Sequence, residues 1–213
     1  MSLSRKLTGH ERWVSMNLRL AVLAGIVIAS LGAAYPTPLA PPIIPAGIPT
    51  LTVTSSTFSS GGTIPSANVT VGCGAGGATA SNISPELTWS AGPPGTMSYT
   101  LHMFDTDAPT GIGFNHWVVY NIPGNVTSLA ANAAATGMPA GAVIGLNDGG
   151  TSAYRGPCPP VGDAPHHYYF TVTAIDKTFT GFGPEVTGAR LEFLLSKGAK
   201  ILARGQYVGL FGR

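Results

Sequence analysis

From Leu51 onward, apolar and polar residues fall into short runs with the period of strands. LTVTSST (51–57) alternates at period two, the spacing of an extended segment with one face buried. NVTVG (68–72) reads the same way after a Gly/Ser-rich stretch, and ELTWS (86–90) and SYTLHMFD (98–105) are joined by the turn AGPPGTM. HWVVYNI (116–122) and HYYFTVTAI (167–175) are dense in β-branched and aromatic residues, which suit a pleated surface. Residues 123–165, between those two runs, are mostly Gly, Ala, Pro and Ser without a clear period. A segment of that length is functional or is wrapped over a core face. Only the end reads as helix: Thr187 caps a run through Ser196 with Gly198 as its stop, and AKILAR forms a second helical turn closed by Gly205. These elements predict one all-β domain over residues 50–213, a two-layer sandwich with a short helix at its C-terminus.

The first 49 residues follow a different pattern. Arg5, Lys6, Arg12 and Arg19 precede LAVLAGIVIASLGAA (20–34), an apolar run that ends in small residues. A basic head, an apolar middle and small residues before a cut is the layout of a secretory signal peptide. The run is shorter than the roughly 20 residues of a spanning helix, so a retained anchor is the weaker reading. Residues 1–34 are therefore read as a signal peptide or N-terminal anchor. Residues 35–49, YPTPLAPPIIPAGIP, hold six prolines and no charge, which makes them an extended spacer.

Composition agrees with an exported strand domain. Charged residues are only 9% of the chain while Gly (29) and Pro (18) are abundant, a bias toward strands and turns. The net charge of +2 comes from the leader: without residues 1–34, seven bases face eight acids. That leaves no basic surface for nucleic acid, which is excluded as a partner. Cys73 and Cys158 are the only cysteines. In an exported protein an even pair suggests one disulfide, the alternative being two separate thiols. Asn68, Asn82 and Asn125 each open an Asn-X-Ser/Thr triplet, with Asn82 a poor acceptor because Pro85 follows Ser84.

Polar residues with chemistry gather at strand ends. Asp105 closes one strand and His116 opens the next. If the two pair as antiparallel neighbours, both side chains meet at one rim of the sheet. His166 also opens a strand, and Tyr168 lies two residues on, hence on the same face. Upstream, the loop YRGPCPPVGD (154–163) is stiffened by proline and punctuated by glycines that allow close backbone approach. The expected site is a cup lined by carboxylate, imidazole, phenol and loop amides. Protonated His, Tyr hydroxyl and backbone N–H are donors suited to a phosphate oxygen, and Asp orients a histidine or accepts from a hydroxyl or ammonium on the ligand. Two His and two Asp are also chemically able to ligate a metal, although no spacing here suggests zinc. His102, in mid-strand, reads as structural, and Asp148 and Asp163 read as turn residues bonding their own backbone.

The blocks SPELTWSAGPPGTMSYTLHMFDTDAPTGIGFNHWVVYNIP (84–123) and YRGPCPPVGDAPHHYYFTVTAID (154–176) resemble the phosphatidylethanolamine-binding protein family, in particular its bacterial and archaeal Raf-kinase-inhibitor-like branch. The resemblance runs from about Leu51 to Arg213. It implies an antiparallel Greek-key β-sandwich with a C-terminal helix and a small rim pocket for phosphate, phosphoesters or phospholipid head groups. Carried over by position, the ligand-binding residues are Asp105, Asp107, His116, Gly156, Pro157, Cys158, His166 and Tyr168. No cofactor, metal or catalytic residue is implied. Some relatives inhibit proteases or kinases, and a kinase partner is hard to reconcile with export. The alternative is a phosphoester hydrolase using Asp105, His116 and His166 as acid–base groups.

There are departures from the family pattern. Thr106 stands where Pro is usual, loosening the first acidic turn, and His167 stands where Arg is often found, removing a permanent charge. Lys200 and Arg204 replace a His and an acid, and the Ala108–Pro109 bond is expected to be cis as in the family. Rim positions for His116 and His166 predict that Ala at either weakens anion binding without unfolding the domain. Binding is expected to fall as pH passes about 6.5, the unperturbed imidazole value.

Overall fold

The computed structural model describes residues 46–213. The signal segment and most of the proline-rich spacer lie outside the described residues.

Among the described residues nine strands form two sheets. In chain order they are β1 (Val53–Thr54), β2 (Gly62–Thr63), β3 (Leu87–Trp89), β4 (Ser98–Asp105), β5 (Phe114–Pro123), β6 (Ser128–Leu129), β7 (Val143–Ile144), β8 (His166–Ile175) and β9 (Ile201–Phe211). Helices are few: α1 is a single turn, Ala133–Thr136, and α2 spans Gly188–Gly198. One sheet has the order β1-β3-β6 and the other β2-β9-β8-β4-β5-β7. All pairs are antiparallel except one. β2 runs parallel to β9, so the larger sheet is mixed and the expectation of antiparallel pairing throughout is corrected at that edge.

The larger sheet is covered on both faces, which is why β4 reads as a nearly continuous buried run. On one face, Tyr99, Leu101 and Met103 of β4, Trp117 and Val119 of β5 and Phe170 and Val172 of β8 share a core with Leu87, Trp89 and Leu129 of the smaller sheet. On the other, Val118, Tyr120 and Ile175 pack with Leu191, Leu194 and Leu195 of α2. Those three leucines recur at the spacing of one helical face. Thr187 caps α2 as expected, its hydroxyl accepting from the Arg190 amide at 3.2 Å.

Three expectations need correction. AKILAR is not helical but opens β9, so the helix precedes the last strand and does not end the chain. The alternation of β9 is hidden because its buried row includes glycines: a Cβ on Gly205 would sit 2.1 Å from the Leu51 carbonyl oxygen. NVTVG is not a strand. Ser66–Asn68 form a 3-10 turn after Pro65, and the Val69 carbonyl accepts from Asn82 rather than from a ladder partner. Of LTVTSST only two residues pair as a strand.

Candidate functional site

The register of the central strands assembles the site. Asp105, the last residue of β4, lies opposite Phe114 on β5 and Tyr168 on β8. On β8 that places His166 two residues along on the same face. On β5 the register slips by one between the pairs Met103↔Trp117 and Phe104↔Asn115. His116 is the extra residue, and such a bulge re-aims a side chain relative to regular alternation. The slip lets His116 face Asp105 while Asn115 faces the α2 side, where it meets His102.

Asp105 is the hub. Its Oδ1 accepts from the amides of Asp107 at 2.9 Å and Ala108 at 3.1 Å, and its Oδ2 accepts from His166 Nδ1 at 2.8 Å. His116 Nε2 lies 3.8 Å from the same Oδ2, too far for a hydrogen bond but close enough for charge attraction. The carboxyl is only 3% exposed. Burial alone would raise its pKa, but the two imidazoles overcome that and hold it far below the usual carboxylate range.

His166 has a carboxylate at each ring nitrogen, since its Nε2 lies 3.5 Å from Asp163 Oδ2. Neutral imidazole can donate to only one of them; imidazolium serves both. Burial pushes its pKa down, and the Asp105 hydrogen bond and charge, with Asp163, push it up by more. The linkage has two sides. Asp105, with its pKa depressed, contributes stability above its unfolded value of 3.8 that is lost as pH falls toward the folded value. His166, with its pKa raised, contributes stability below 6.5 that is lost as pH rises through the folded value. The contribution of this pair to the urea midpoint should therefore be greatest between pH 3.8 and 6.5, set against the opposite trend of His102, whose pKa is lowered by burial. An Asp105→Asn chain should lose that maximum; an identical profile in both chains would contradict the pairing.

Around this hub lies a cavity of about 230 Å³, walled by Ala108, Pro109 and Thr110, by Phe114, His116 and Arg155, and by Cys158, Pro159 and Pro160, with Asp105 and His166. Arg155 is clamped beside His116: its amide donates to the His116 carbonyl at 3.0 Å, and His116 Nδ1 donates to the Arg155 carbonyl at 2.8 Å. Its guanidinium carbon lies 5.9 Å from the centre of the Phe114 ring. Among the described residues, no carboxylate forms a salt bridge with it.

Of the positions expected in the site, Asp105, His116, Cys158 and His166 line the cavity; Asp107, Gly156, Pro157 and Tyr168 do not. Asp107 turns to His167, accepting from its amide at 2.6 Å and its ring Nδ1 at 2.9 Å. Tyr168 is fully buried and packs edge-on against His116 with ring centres 5.2 Å apart. Burial and then the Asp105 charge raise its pKa, so it is a neutral phenol beneath the histidines. Gly156 makes its close approach to backbone rather than to a ligand: a Cβ there would meet the Asn68 carbonyl oxygen at 2.2 Å.

Cys158 is bonded to Cys73, with Cα atoms 5.3 Å apart across 85 residues, so it is not a thiol. Arg155 was not singled out from the sequence, although it could have been found as the lone base of YRGPCPP. Asp163, read as a turn residue bonding its own backbone, instead turns its carboxylate to His166 Nε2 at 3.5 Å, and its place three residues before that histidine was the missed signal.

The departures also resolve. Thr106 does not leave the acidic turn loose: Asp105 holds it by two amides, and the Thr106 amide, which a proline would lack, points to the His167 carbonyl at 3.4 Å. His167 pairs with Asp107, and the permanent positive charge on the cavity is that of Arg155. Arg204 lies away from the cavity, donating to Thr173 at 2.9 Å and to Glu192 of α2 at 3.3 Å, and α2 contributes no lining residue. Every peptide bond among the described residues is trans, Ala108–Pro109 included, which corrects the expected cis bond. Asp148 does not bond its own turn but accepts from the Asn115 amide at 2.7 Å and side chain at 2.8 Å. The Asn68 and Asn82 side-chain amides donate to the carbonyls of Ile83 and Tyr154, leaving Asn125 as the exposed triplet. Among the described residues no group of three or more His, Cys, Asp or Glu is arranged to hold a metal ion.

Residues 54–212 match the profile of the phosphatidylethanolamine-binding protein family. YbcL of Escherichia coli is 42% identical over 147 residues, covering 68% of this chain and 79% of its own. Its crystal structure, described as a new member of the mammalian family, superposes with a TM-score of 0.70 and 37% identity over 76% of this chain and 98% of that one. A family homologue from Chlamydia trachomatis gives a TM-score of 0.64 at 32% identity, over 77% of this chain and 98% of its own. LppC of Mycobacterium tuberculosis, which carries the name of a lipoprotein, is 34% identical over 162 residues, 76% of this chain and 72% of its own.

Proposed function

The chain belongs to the phosphatidylethanolamine-binding protein family, and on that premise we propose that it is an exported, non-enzymatic binding protein whose cavity takes the phosphate of a phosphoester or phospholipid head group. The observation that carries this reading is the juxtaposition of Arg155, His116 and the Asp105–His166 pair on one cavity. The Arg155 guanidinium supplies donors for phosphate oxygens, His116 Nε2 adds one when its ring is protonated, and the His166 imidazolium, its two N–H groups turned to Asp105 and Asp163, supplies positive charge. The Asp105 carboxylate keeps His166 charged and leaves the site close to neutral, which suits a phosphate that brings its own ammonium or hydroxyl. The volume of about 230 Å³ is below the roughly 300 Å³ at which drug-sized pockets begin. It fits a head group and leaves acyl chains outside.

Binding is favoured over hydrolysis by the state of the cavity's hydroxyl and sulfur. Cys158 is oxidised, and the Thr110 hydroxyl donates to the Gly113 carbonyl at 2.6 Å rather than to a base. Export is supported by the Cys73–Cys158 bridge, since such bonds persist in oxidising compartments, and by the likeness to LppC. Both cysteines of this chain are in that bridge, so residues 1–34 are read as a signal or anchor rather than a site of cysteine-linked lipid.

The test is phosphoethanolamine followed by phosphorus NMR and titration calorimetry. Saturable binding with an unchanged phosphorus species is expected; product peaks that vanish in His116→Gln would replace this reading with hydrolysis. Arg155→Gln should weaken binding about 10- to 100-fold, the value of one charge-assisted hydrogen bond. Unchanged affinity would remove Arg155 from the site. The loss of binding with rising pH is expected above 6.5, not at it, because the His166 pKa is raised from that value. His116 and His166 are 5% and 3% exposed, so they are buried rather than free at a rim. Gln is the milder probe at either position, because its amide can still donate to Asp105, whereas Ala at 166 would leave Asp105 and Asp163 with neither cation nor donor between them.

A further inference from the structure

Helix α2 turns different chemistry inward and outward. Its inner face carries Leu191, Leu194 and Leu195 against the larger sheet. Its one acid, Glu192, turns toward the sheet as well, with Oε2 3.3 Å from Arg204 and Oε1 3.8 Å from His102 Nδ1. The outer face holds Arg190, Phe193 and Lys197, all exposed, at the i, i+3, i+7 spacing of one helical stripe. Phe193 is 52% exposed, one of few large apolar side chains left in solvent. The Arg190 guanidinium is held between two rings: its carbon lies 5.4 Å from the centre of Phe193 and 5.7 Å from that of Phe182, in the loop before the helix. Among the described residues neither Arg190 nor Lys197 forms a salt bridge. Glu185, before the helix, and Asp176, beside its far end, accept from the amides of Gly183 and Lys200 instead.

We propose that this stripe docks an acidic segment of a partner protein, with an apolar residue of the partner covering Phe193 and its carboxylates taken by Arg190 and Lys197. The argument is charge complementarity. Residues 35–213 hold eight acids and seven bases, yet the stripe exposes two bases and no acid. Arginine beside aromatic rings is also the composition that carries binding energy at protein interfaces. A guanidinium already ordered by two rings loses less freedom when it takes a carboxylate through both of its arms. An anionic membrane is the poorer occupant. Even with Lys200, exposed just past the helix, three bases fall short of the clusters of about four to eight that mark such surfaces. The stripe is separate from the cavity, to which α2 contributes no lining residue, so docking here leaves the ligand site open.

The test uses the full chain and a fluorescein-labelled helical peptide with leucines along one face and glutamates flanking them, read by fluorescence anisotropy. Saturable binding is expected, weakening as salt is raised because the charges are exposed. The Kd should rise about tenfold or more in a chain carrying Arg190→Gln, Phe193→Ser and Lys197→Gln, from the lost ion pairs and apolar cover. The same chain should bind phosphoethanolamine as the parent does, which shows that it is folded. A counterpart peptide with glutamine in place of glutamate should bind at least about tenfold more weakly to the parent. Equal binding of the two peptides, or equal binding by the parent and the triple variant, overturns the proposal. Vesicles of phosphatidylglycerol and phosphatidylcholine are the competing probe. Capture on them that is lost in the triple variant, without binding of the acidic peptide, replaces the protein partner with an anionic membrane.

Discussion

Asp105→Ala should lower the stability of the domain by about 3–5 kcal/mol, the cost of removing one partner from a buried ion pair, and should abolish phosphoethanolamine binding. The carboxylate is 3% exposed and holds three donors: His166 at 2.8 Å and the amides of Asp107 and Ala108. Without it, the buried imidazolium of His166 keeps only Asp163, at 3.5 Å. The turn that leads into Pro109 and Thr110 loses the Oδ1 that accepts from both of its amides, so a wall of the cavity loosens at the same time. Asp105→Asn should fall between the two, because an amide oxygen still accepts from the turn while the charge is gone. Urea denaturation at pH 6 measures the loss. A change under about 1 kcal/mol, the scale of an exposed ion pair, would show that the hub is solvated and that the cavity is not organised around it.

Replacing Cys73 and Cys158 with Ser should cost about 2–5 kcal/mol, the usual effect of losing a native disulfide. The closed loop is long at 85 residues, and the constraint on the unfolded chain grows with loop length. The folded state should keep its wall near residue 157, because Thr70 still bonds the Gly156 and Pro157 carbonyls and Arg213 donates to the Pro159 carbonyl at 2.6 Å. Stability and binding are therefore expected to separate. The denaturant midpoint should drop strongly, while phosphoethanolamine affinity, measured well below that midpoint, should change by less than about tenfold. Equal midpoints for the two chains would mean that the bridge contributes no constraint.

How much of this was readable from residue order depends on the element. β4, β5 and β8 were legible because dense β-branched and aromatic runs bounded by turn residues have few other uses. β9 was not, since Gly205 and Gly209 occupy core-facing positions where a large apolar residue would have shown the period, and a close neighbour excludes any side chain at 205. β2, β6 and β7 are two residues each, too short for any period to register. In the site, Asp105, His116 and His166 were legible through their motifs. The bulge that turns His116 toward Asp105 was not, because a one-residue slip is decided by pairing with a distant strand. Asp107 was expected in the cavity from the family resemblance and Tyr168 also from its place on one face with His166, yet Asp107 ties down β8 and Tyr168 lies in the core. The contribution of Arg155 depends on a reciprocal backbone clamp with His116, 39 positions away, which no local pattern encodes.

The position of β9 has a consequence for how the protein is made. β9 pairs with β8 along its length and with β2 on its other side, yet both neighbours leave the ribosome before it. Until Phe211 emerges, a delay on the order of seconds at normal elongation rates, β8 presents an open edge to any other nascent chain.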